Sequence, residues 1–125
     1  MITDYIKPIN NTLIAIPIKK KLSDTIELAE TVRQISTKAL VLAVGEGIPN
    51  IGTGEIIKPF SEAGDIVSYA NLAIQAKFKI REMASILNIE TSVIFEWASS
   101  LDLTEQDEIV FVDDRQVLCR WVSNE

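Results

Sequence analysis

The sequence predicts a small all-β domain with a helical insertion, and three observations support this prediction. Short apolar runs rich in branched side chains recur along the chain, and turns containing Gly or Pro separate them. Residues 74–81 alternate between apolar and polar side chains, which is typical of a half-buried strand. Residues 81–101 have helical spacing instead. With 125 residues, 47% of them hydrophobic, the chain is expected to form one domain, residues 1–125, with its own core.

Composition argues against several classes of protein. The chain contains no histidine, which removes Ser-His, Cys-His and His-metal chemistry, and its net charge of −6 disfavours contact with nucleic-acid phosphates. Its one cysteine, Cys119, suits a reducing compartment and is expected to pack rather than react. No uncharged stretch is long enough to span a bilayer, and no secretion signal opens the chain. We therefore expect a cytoplasmic protein that is not an enzyme and binds no cofactor, metal, nucleic acid or membrane.

The first third of the chain predicts a strand followed by a long connection. Residues 11–18 read as a strand, and Pro17 indicates an edge or a bend because proline cannot donate a ladder hydrogen bond. Residues 19–37 are polar and form a connection of the length that is usually functional or disordered. Part of it, residues 26–32, is also compatible with a helical turn.

The middle of the chain predicts strands and a hairpin. Residues 39–44 form an apolar run that ends at a glycine turn, as a buried strand does. Residues 46–55 include Pro49, Gly52 and Gly54 and predict a hairpin tip. A Gly-Asp turn then precedes a strand at residues 66–69, and the alternating residues 74–81 form the next one.

Residues 81–101 predict two short helices, with Thr91 or Ser92 as the N-cap of the second. Residues 89–97 also contain enough branched and aromatic side chains to be a strand. The chain closes with two apolar runs, residues 108–112 and 116–122, which predict a hairpin or a bent pair of strands. The acid pair between them, Asp113 and Asp114, is the only close pair of carboxylates for a metal, and we expect it to be a solvated turn.

Several blocks resemble GroES-type co-chaperonins, in the family's order and at nearly its spacing. The opening Ile6-Lys7-Pro8-Ile9 and the strand that follows it are similar to the start of that family. The later blocks are STKALVLAVGEG, EIIKPF, AGDIV and the two closing strands. The resemblance covers the whole chain apart from the insertion at residues 81–104 and small differences in two loops. It implies a GroES-like small β-barrel with a long mobile loop at residues 19–37 and a roof β-hairpin at residues 46–55.

This resemblance also implies a function. A GroES-type protein forms a seven-subunit ring that closes the folding chamber of a GroEL-type chaperonin over an unfolded client protein. The partner chaperonin binds and hydrolyses the ATP. The resemblance places the chaperonin-binding anchor of the mobile loop at Ile26, Glu27 and Leu28. Because each anchor binds weakly, the seven copies act through avidity. The alternative for Ile26 and Leu28 is packing on their own domain.

Two further sites follow from the resemblance. The roof residues are Glu46 and Glu55, which seven copies would concentrate around a central opening, although an ordinary solvated tip remains an alternative. The subunit interface pairs one N-terminal segment, residues 5–9, with the neighbour's last strand, residues 116–122. Its candidate residues are Ile6, Ile9, Val117 and Leu118. The alternative is pairing within one chain.

The chain departs from the family at the anchor, where Asp24, Thr25 and Glu27 replace two glycines and an aliphatic residue. Fewer glycines predict a stiffer loop with a lower entropic cost of docking. In this departure and in its long insertion, the chain resembles the divergent co-chaperonins that bacteriophages encode. If a phage encodes this protein, we expect it in the cytoplasm of the host.

A helix-turn-helix DNA-binding protein is the alternative function, because residues 81–101 have the small residue, turn and apolar spacing of that motif. Its second helix would carry Glu90 and Glu96 and no Lys or Arg, so it would repel phosphates. Helix pairs with this spacing also occur as packing units, and the insertion is then expected to decorate the barrel.

Overall fold

The computed structural model describes residues 2–18 and 38–121, which form eight strands and two short helices. The strands are β1 (Thr12–Ile18), β2 (Lys38–Val44), β3 (Ile48–Pro49), β4 (Ile56–Ile57), β5 (Ile66–Tyr69), β6 (Ile74–Lys79), β7 (Glu108–Asp113) and β8 (Val117–Trp121). The helices are α1 (Ile80–Leu87) and α2 (Thr91–Trp97), and 3-10 turns occur at Ile2–Asp4, Asn71–Ala73 and Asp114–Gln116. The prediction of a mostly β domain is confirmed.

Six strands form one antiparallel sheet in the order β6-β7-β1-β2-β5-β8. Strands β3 and β4 pair with each other, which confirms the predicted hairpin. Irregularities of register occur between β1 and β2, between β5 and β8, and between β6 and β7, and such bulges bend a sheet. The described sheet is open, with β6 and β8 at its edges.

Strand β1 lies in the middle of the sheet and is buried on both faces. Leu13, Ile14, Ala15 and Ile16 are all inaccessible to solvent. The pairing of β1 with β7 ends at Ala15, whereas its pairing with β2 continues to Ile18. Pro17 therefore lies beyond the part of β1 that pairs with β7, where the N–H group that proline lacks is not required for pairing with that strand. This agrees with the prediction that Pro17 marks an edge or a bend.

The two faces of the sheet carry separate hydrophobic clusters. The opposite-face cluster contains Leu13, Ala15, Ala39, Val41, Val67, Tyr69, Ala73, Val110 and Val112. The helix-side cluster contains Ile2, Ile14, Ile16, Leu42, Ala43, Ile80, Met83, Ala84, Ile94, Ala98 and Ile109. Alternate residues of β1 belong to different clusters because successive side chains of a strand point to opposite faces. The insertion is therefore part of the core, and the expectation that it only decorates the domain is wrong.

The junction between β6 and α1 lies earlier than the sequence pattern predicted. Strand β6 shows the expected alternation of half-buried and exposed residues but ends at Lys79, and Ile80 already begins the helix. The Glu82 carboxylate accepts a hydrogen bond of 3.3 Å from the Lys79 backbone N–H, which satisfies a donor at the helix start. At the other end Asn88 adopts a left-handed conformation with φ of 56°, which stops α1.

The second predicted helix is present, so the alternative of a strand at residues 89–97 is wrong. Neither Thr91 nor Ser92 is its N-cap, because the helix begins at Thr91 and the cap is Glu90. The Thr91 hydroxyl donates a 3.3 Å hydrogen bond to a Glu105 carboxylate oxygen, so it contacts the loop that leads from α2 to β7 and does not cap the helix. Within the described residues, neither helix has the length and apolar character needed to cross a bilayer.

The two closing strands are present but do not pair with each other. Strand β7 pairs with β1 and β6, whereas β8 pairs with β5 at the far edge of the sheet. Of the two predicted arrangements, the closing hairpin is therefore wrong, whereas two strands joined by a bend are present. The 3-10 turn at Asp114–Gln116 redirects the chain between two distant positions in the sheet. Local sequence could not indicate this, because a tight turn between apolar runs is compatible with either arrangement.

Candidate subunit interface

The two edges of the sheet differ in their chemistry. Among the described strands, β6 and β8 each pair on one side only. The exposed residues of β6 are Gln75, Lys77 and Lys79, and lysines on an edge strand discourage pairing with another chain. Strand β8 exposes Leu118, Cys119, Arg120 and Trp121, with Leu118 57% exposed, so the expectation that Cys119 packs is wrong for the single chain. The one charged residue among them, Arg120, forms an ion pair with Asp65. The edge formed by β8 is therefore the one suited to accept a further strand.

Strand β8 is held in place by contacts with its neighbours. The Trp121 indole N–H donates a 2.7 Å hydrogen bond to the Ser68 hydroxyl, and the Lys38 ammonium lies 4.1 Å from the centre of the indole ring. Arg120 and Asp65 form a long ion pair of 3.7 Å. Because these contacts bind β8 to β5 and β2, its free edge is presented by a fixed strand.

A groove of about 780 Å³ runs beside β8, between this strand and the segment that follows the hairpin. Its apolar lining includes Ile57, Phe60 and Val117. The full lining consists of Asn11, Ile48, Ile57, Lys58, Pro59, Phe60, Ser61, Asp114, Arg115, Val117, Cys119 and Arg120. Three of these residues are basic and one is acidic, whereas the chain as a whole carries a charge of −6. Two of the three cations are already paired, Arg115 with Asp113 and Arg120 with Asp65, so the groove offers a partner mainly its apolar lining.

A buried carboxylate fixes the wall of this groove. Asp114 accepts a 2.8 Å hydrogen bond from the Phe60 N–H, and its other oxygen accepts bonds from the Ser61 hydroxyl at 2.6 Å and the Ser61 N–H at 3.2 Å. Asp114 is 6% exposed, whereas the Phe60 side chain is 92% exposed. The carboxylate thus holds the backbone from which Phe60 projects into solvent. A large aromatic side chain on a fixed backbone loses little entropy on binding.

The neighbouring acid, Asp113, stabilises the corner between β7 and β8. Its carboxylate accepts the Arg115 backbone N–H at 2.9 Å and forms a two-point contact with the guanidinium, at 3.1 and 2.9 Å. The hydrogen bond from the Arg115 side chain is the main cause that lowers the pKa of Asp113 below its ordinary value of 3.8. Both acids are at most 8% exposed, so the expectation of a solvated turn is wrong. No cluster of three potential metal ligands is found in residues 2–18 and 38–121.

The four predicted interface residues divide into two kinds. Ile9 is 70% exposed and Leu118 is 57% exposed, so both are available to a second chain. Ile6 and Val117 are half-buried and pack against the helix-side and opposite-face clusters, respectively. The N-terminal segment and β8 thus each contain one residue that packs on its own domain, Ile6 or Val117, and one that faces solvent, Ile9 or Leu118.

The segment that contains Ile9 runs along the base of the hairpin. The Gly47 N–H donates to the Asn10 carbonyl at 2.9 Å, and the Gly45 N–H donates to Thr12 at 2.9 Å. A Cβ atom at Gly45 would lie 2.3 Å from the Asn10 carbonyl oxygen, so a larger residue would push the two segments apart. The glycines after β2 therefore allow the N-terminal segment to approach the hairpin.

The predicted roof residues are both exposed, but Glu46 lies before β3 at the base of the hairpin, whereas Glu55 lies at the end of the loop, directly before β4. The loop between β3 and β4 is closed by the Asn50 N–H, which donates to the Glu55 carbonyl at 2.7 Å. Ile51 at its tip is fully exposed. The hairpin thus has one acidic residue at its base, Glu46, whereas its loop contains both the acidic Glu55 and the apolar Ile51.

The predicted chaperonin-binding residues Ile26, Glu27 and Leu28 lie outside the described residues. The residues that flank their segment are paired with each other, Ile18 with Lys38, at one end of β1 and β2. The hairpin follows the other end of β2, about 20 Å away for seven residues of strand. The segment at 19–37 is therefore attached at the opposite end of the sheet from the hairpin.

The outward surface of α2 bears on the DNA-binding alternative. Ile94 is fully buried in the helix-side cluster, and the exposed residues of α2 are Ser92 and Glu96. Lys77 and Lys79, on the preceding strand, contact Glu108 and Gln106. The one exposed charge within α2 is therefore the carboxylate of Glu96, which does not favour contact with phosphates.

Sequence reasoning did not single out the groove residues Phe60, Ser61 and Asp114 as a site. The motif Lys-Pro-Phe, followed by a serine, offered one signal, because an aromatic residue in a polar turn has no obvious core position. Comparison of the sequence with protein-family models and with curated proteins finds no match.

Proposed function

We propose that this chain is a co-chaperonin of the GroES type, a non-enzymatic lid that assembles into a ring, most simply of seven subunits, on a GroEL-type chaperonin. The open six-stranded sheet would then be the described part of a GroES-like barrel. ATP would be bound by the chaperonin, and an unfolded client protein would occupy the closed chamber.

The free edge of β8 is the observation that carries the proposal. A fixed edge strand with exposed apolar residues, beside an apolar groove, is a site for β-strand addition. Residues 6–9 belong to no helix or strand in their own chain and expose Ile9. If residues 6–9 of one copy pair with β8 of the next, the contact is heterologous. Its repetition gives a ring when the rotation between copies closes and a filament when it does not, and we propose the closed case.

The positions of the two predicted contact regions also support a lid. The segment at 19–37 is attached at one end of the sheet and the hairpin at the other. In a ring with subunits side by side, all loops would face the chaperonin and all hairpins would meet at the roof. Many weak anchors on one ring then bind by avidity and release together when the partner changes state.

Sizing of the purified protein tests the assembly. We expect a mass of about seven subunits by light scattering, and co-migration with a GroEL-type chaperonin only when nucleotide is present. A monomer at all concentrations would contradict the ring. A salt-dependent shift of duplex DNA by the same sample would favour the alternative function.

A pair of substitutions tests the anchor. Ile26→Ser and Leu28→Ser should leave the ring intact but abolish its co-migration with the chaperonin, because each removes an apolar contact that the ring repeats in every subunit. Ile86→Ser, at an exposed position on α1, is the control and should co-migrate normally. Undiminished co-migration of both anchor variants would exclude this role for residues 26–28.

A further inference from the structure

The N-terminal arm, residues 2–11, begins with a turn that packs on β2 within the helix-side cluster. Ile2 is 1% exposed and belongs to the helix-side cluster, together with Met83 of α1 and Ile94 of α2. Its carbonyl oxygen accepts hydrogen bonds of 3.0 Å from the N–H groups of Tyr5 and Ile6. The arm therefore begins with a compact turn whose anchor is buried beside the two helices.

A second contact joins the arm to α2. The rings of Tyr5 and Trp97 lie 5.8 Å apart between centroids, with a tilt of 42°. This separation is within the range of favourable aromatic pairs. Tyr5 is 47% exposed and Trp97 is half-buried, so the contact lies at the surface, where the arm leaves the insertion.

The far end of the arm is fixed separately, by the base of the hairpin and by the corner before β8. Asn10 accepts from the Gly47 N–H at 2.9 Å, and Asn11 accepts from the Asp114 N–H at 2.8 Å. Between the two attachments lie residues 7–9, of which Lys7 and Ile9 are exposed and Pro8 is buried. The arm thus spans from the insertion to the groove with its exposed residues in between.

We propose that the helical insertion is a brace for the N-terminal arm, and that through the Tyr5–Trp97 contact it sets how tightly one copy of the chain binds the next. This inference rests on the proposed ring, in which the arm pairs with the neighbour's β8. An arm held in its binding conformation before association loses less entropy when it docks. Trp97 is then a positioning residue that acts through the arm and does not itself touch the neighbour.

Three variants of α2 separate this role from a general loss of stability. Trp97→Ala removes the contact with Tyr5, whereas Trp97→Phe retains an aromatic ring. Phe95→Ala is the matched control, because Phe95 is also a half-buried aromatic residue of α2 that packs against the helix-side cluster. The assembly of each variant is measured by light scattering over a concentration series, with circular dichroism to verify the fold.

We expect Trp97→Ala to raise the concentration at which the ring dissociates by about tenfold, the effect of one aromatic pair. Trp97→Phe and Phe95→Ala should assemble within about threefold of the natural chain. Hydrogen exchange in the dissociated subunit gives a second readout. The Tyr5 and Ile6 amides should exchange faster in Trp97→Ala than in Phe95→Ala, since only the former loosens the arm.

The outcomes distinguish this inference from the proposed function. If the natural chain assembles and Trp97→Ala assembles equally well, the brace is overturned and the ring stands. Equal weakening by Phe95→Ala would also overturn it, because the effect would then be loss of core packing. If the natural chain remains monomeric at every concentration, both the ring and the brace are overturned.

Discussion

At the scale of single residues, the corner before β8 depends on a charge that is removed from water. A buried carboxylate is costly unless hydrogen bonds compensate it, and Asp114 receives three, from Phe60 and Ser61. Its partners are 53 and 54 residues away in the sequence, so the bonds connect distant parts of the chain. This explains why its neighbourhood in the sequence suggested only a polar turn.

Removal of this carboxylate should destabilise the domain. Asp114→Ala leaves the N–H groups of Phe60 and Ser61 and the Ser61 hydroxyl without their acceptor, and we expect a loss of about 3 kcal/mol in the free energy of unfolding. Ser61→Ala removes only the hydroxyl donor and should cost about 1 kcal/mol. Urea unfolding of both variants measures the difference. Equal, small effects would show that the carboxylate is not a structural anchor.

Tyr69 predicts a specific sensitivity to alkaline pH. It is 1% exposed, and burial, assisted by the negative charge of Glu108, raises its pKa from 10.0 to about 12. Because the folded state favours the neutral phenol, the stability from this group is complete below pH 10. It decreases as the pH rises from 10 towards 12, by about 3 kcal/mol in total.

The Tyr69→Phe variant isolates this effect, since it removes the ionisable group and keeps the ring. The free energy of unfolding of the natural chain, relative to that of the variant, should decrease between pH 10 and 12. Denaturant unfolding at a series of pH values measures this quantity. Parallel curves for the two proteins throughout that interval would exclude Tyr69 as the cause.

At the scale of secondary structure, the elements with local signals were predicted and those that depend on distant partners were not. The buried strand β2, the turn before β5 and the helix pair follow from runs, glycines and periodicity in short windows. The separation of β7 and β8 depends on which strands lie beside them in space. Likewise, Ile9 and Leu118 could be named from the sequence as interface candidates, and both are exposed. The groove could not be predicted, because its lining comes from four separate parts of the chain.

The insertion should contribute to stability as a core element. Ile94 of α2 is fully buried in the helix-side cluster, so Ile94→Ala should lower the free energy of unfolding by about 3 kcal/mol. Ile86→Ala on α1, where the side chain is 63% exposed, is the control and should change it by less than about 0.5 kcal/mol. Thermal or urea unfolding compares them. A small effect at Ile94 would indicate that the helices are peripheral after all.

At the scale of the whole molecule, the two edges of the six-stranded sheet differ in how readily each can pair with a strand of another chain. Strand β6 exposes two lysines and is followed at once by α1. Strand β8 exposes Leu118, Cys119 and Trp121 beside a groove, and its one cation, Arg120, is paired with Asp65. A chain with one protected and one open edge can add a partner on one side only. If the strand that pairs with β8 is a different segment of a second copy, such as its residues 6–9, each copy binds the next through the same two surfaces and the assembly grows in one direction.

If the proposed ring forms through this edge, a lysine on β8 should convert it into folded monomers. Leu118→Lys places on β8 the same kind of residue that protects β6, and burial of its ammonium at a strand interface is unfavourable. Because Leu118 is 57% exposed in the single chain, the fold itself should tolerate the change, with an effect on unfolding of less than about 0.5 kcal/mol. Ile86→Lys, at a position of similar exposure on α1, should leave the assembly intact. Light scattering measures the mass of each variant and circular dichroism its fold, and a Leu118→Lys protein that still assembles fully would place the contact between copies elsewhere than on β8.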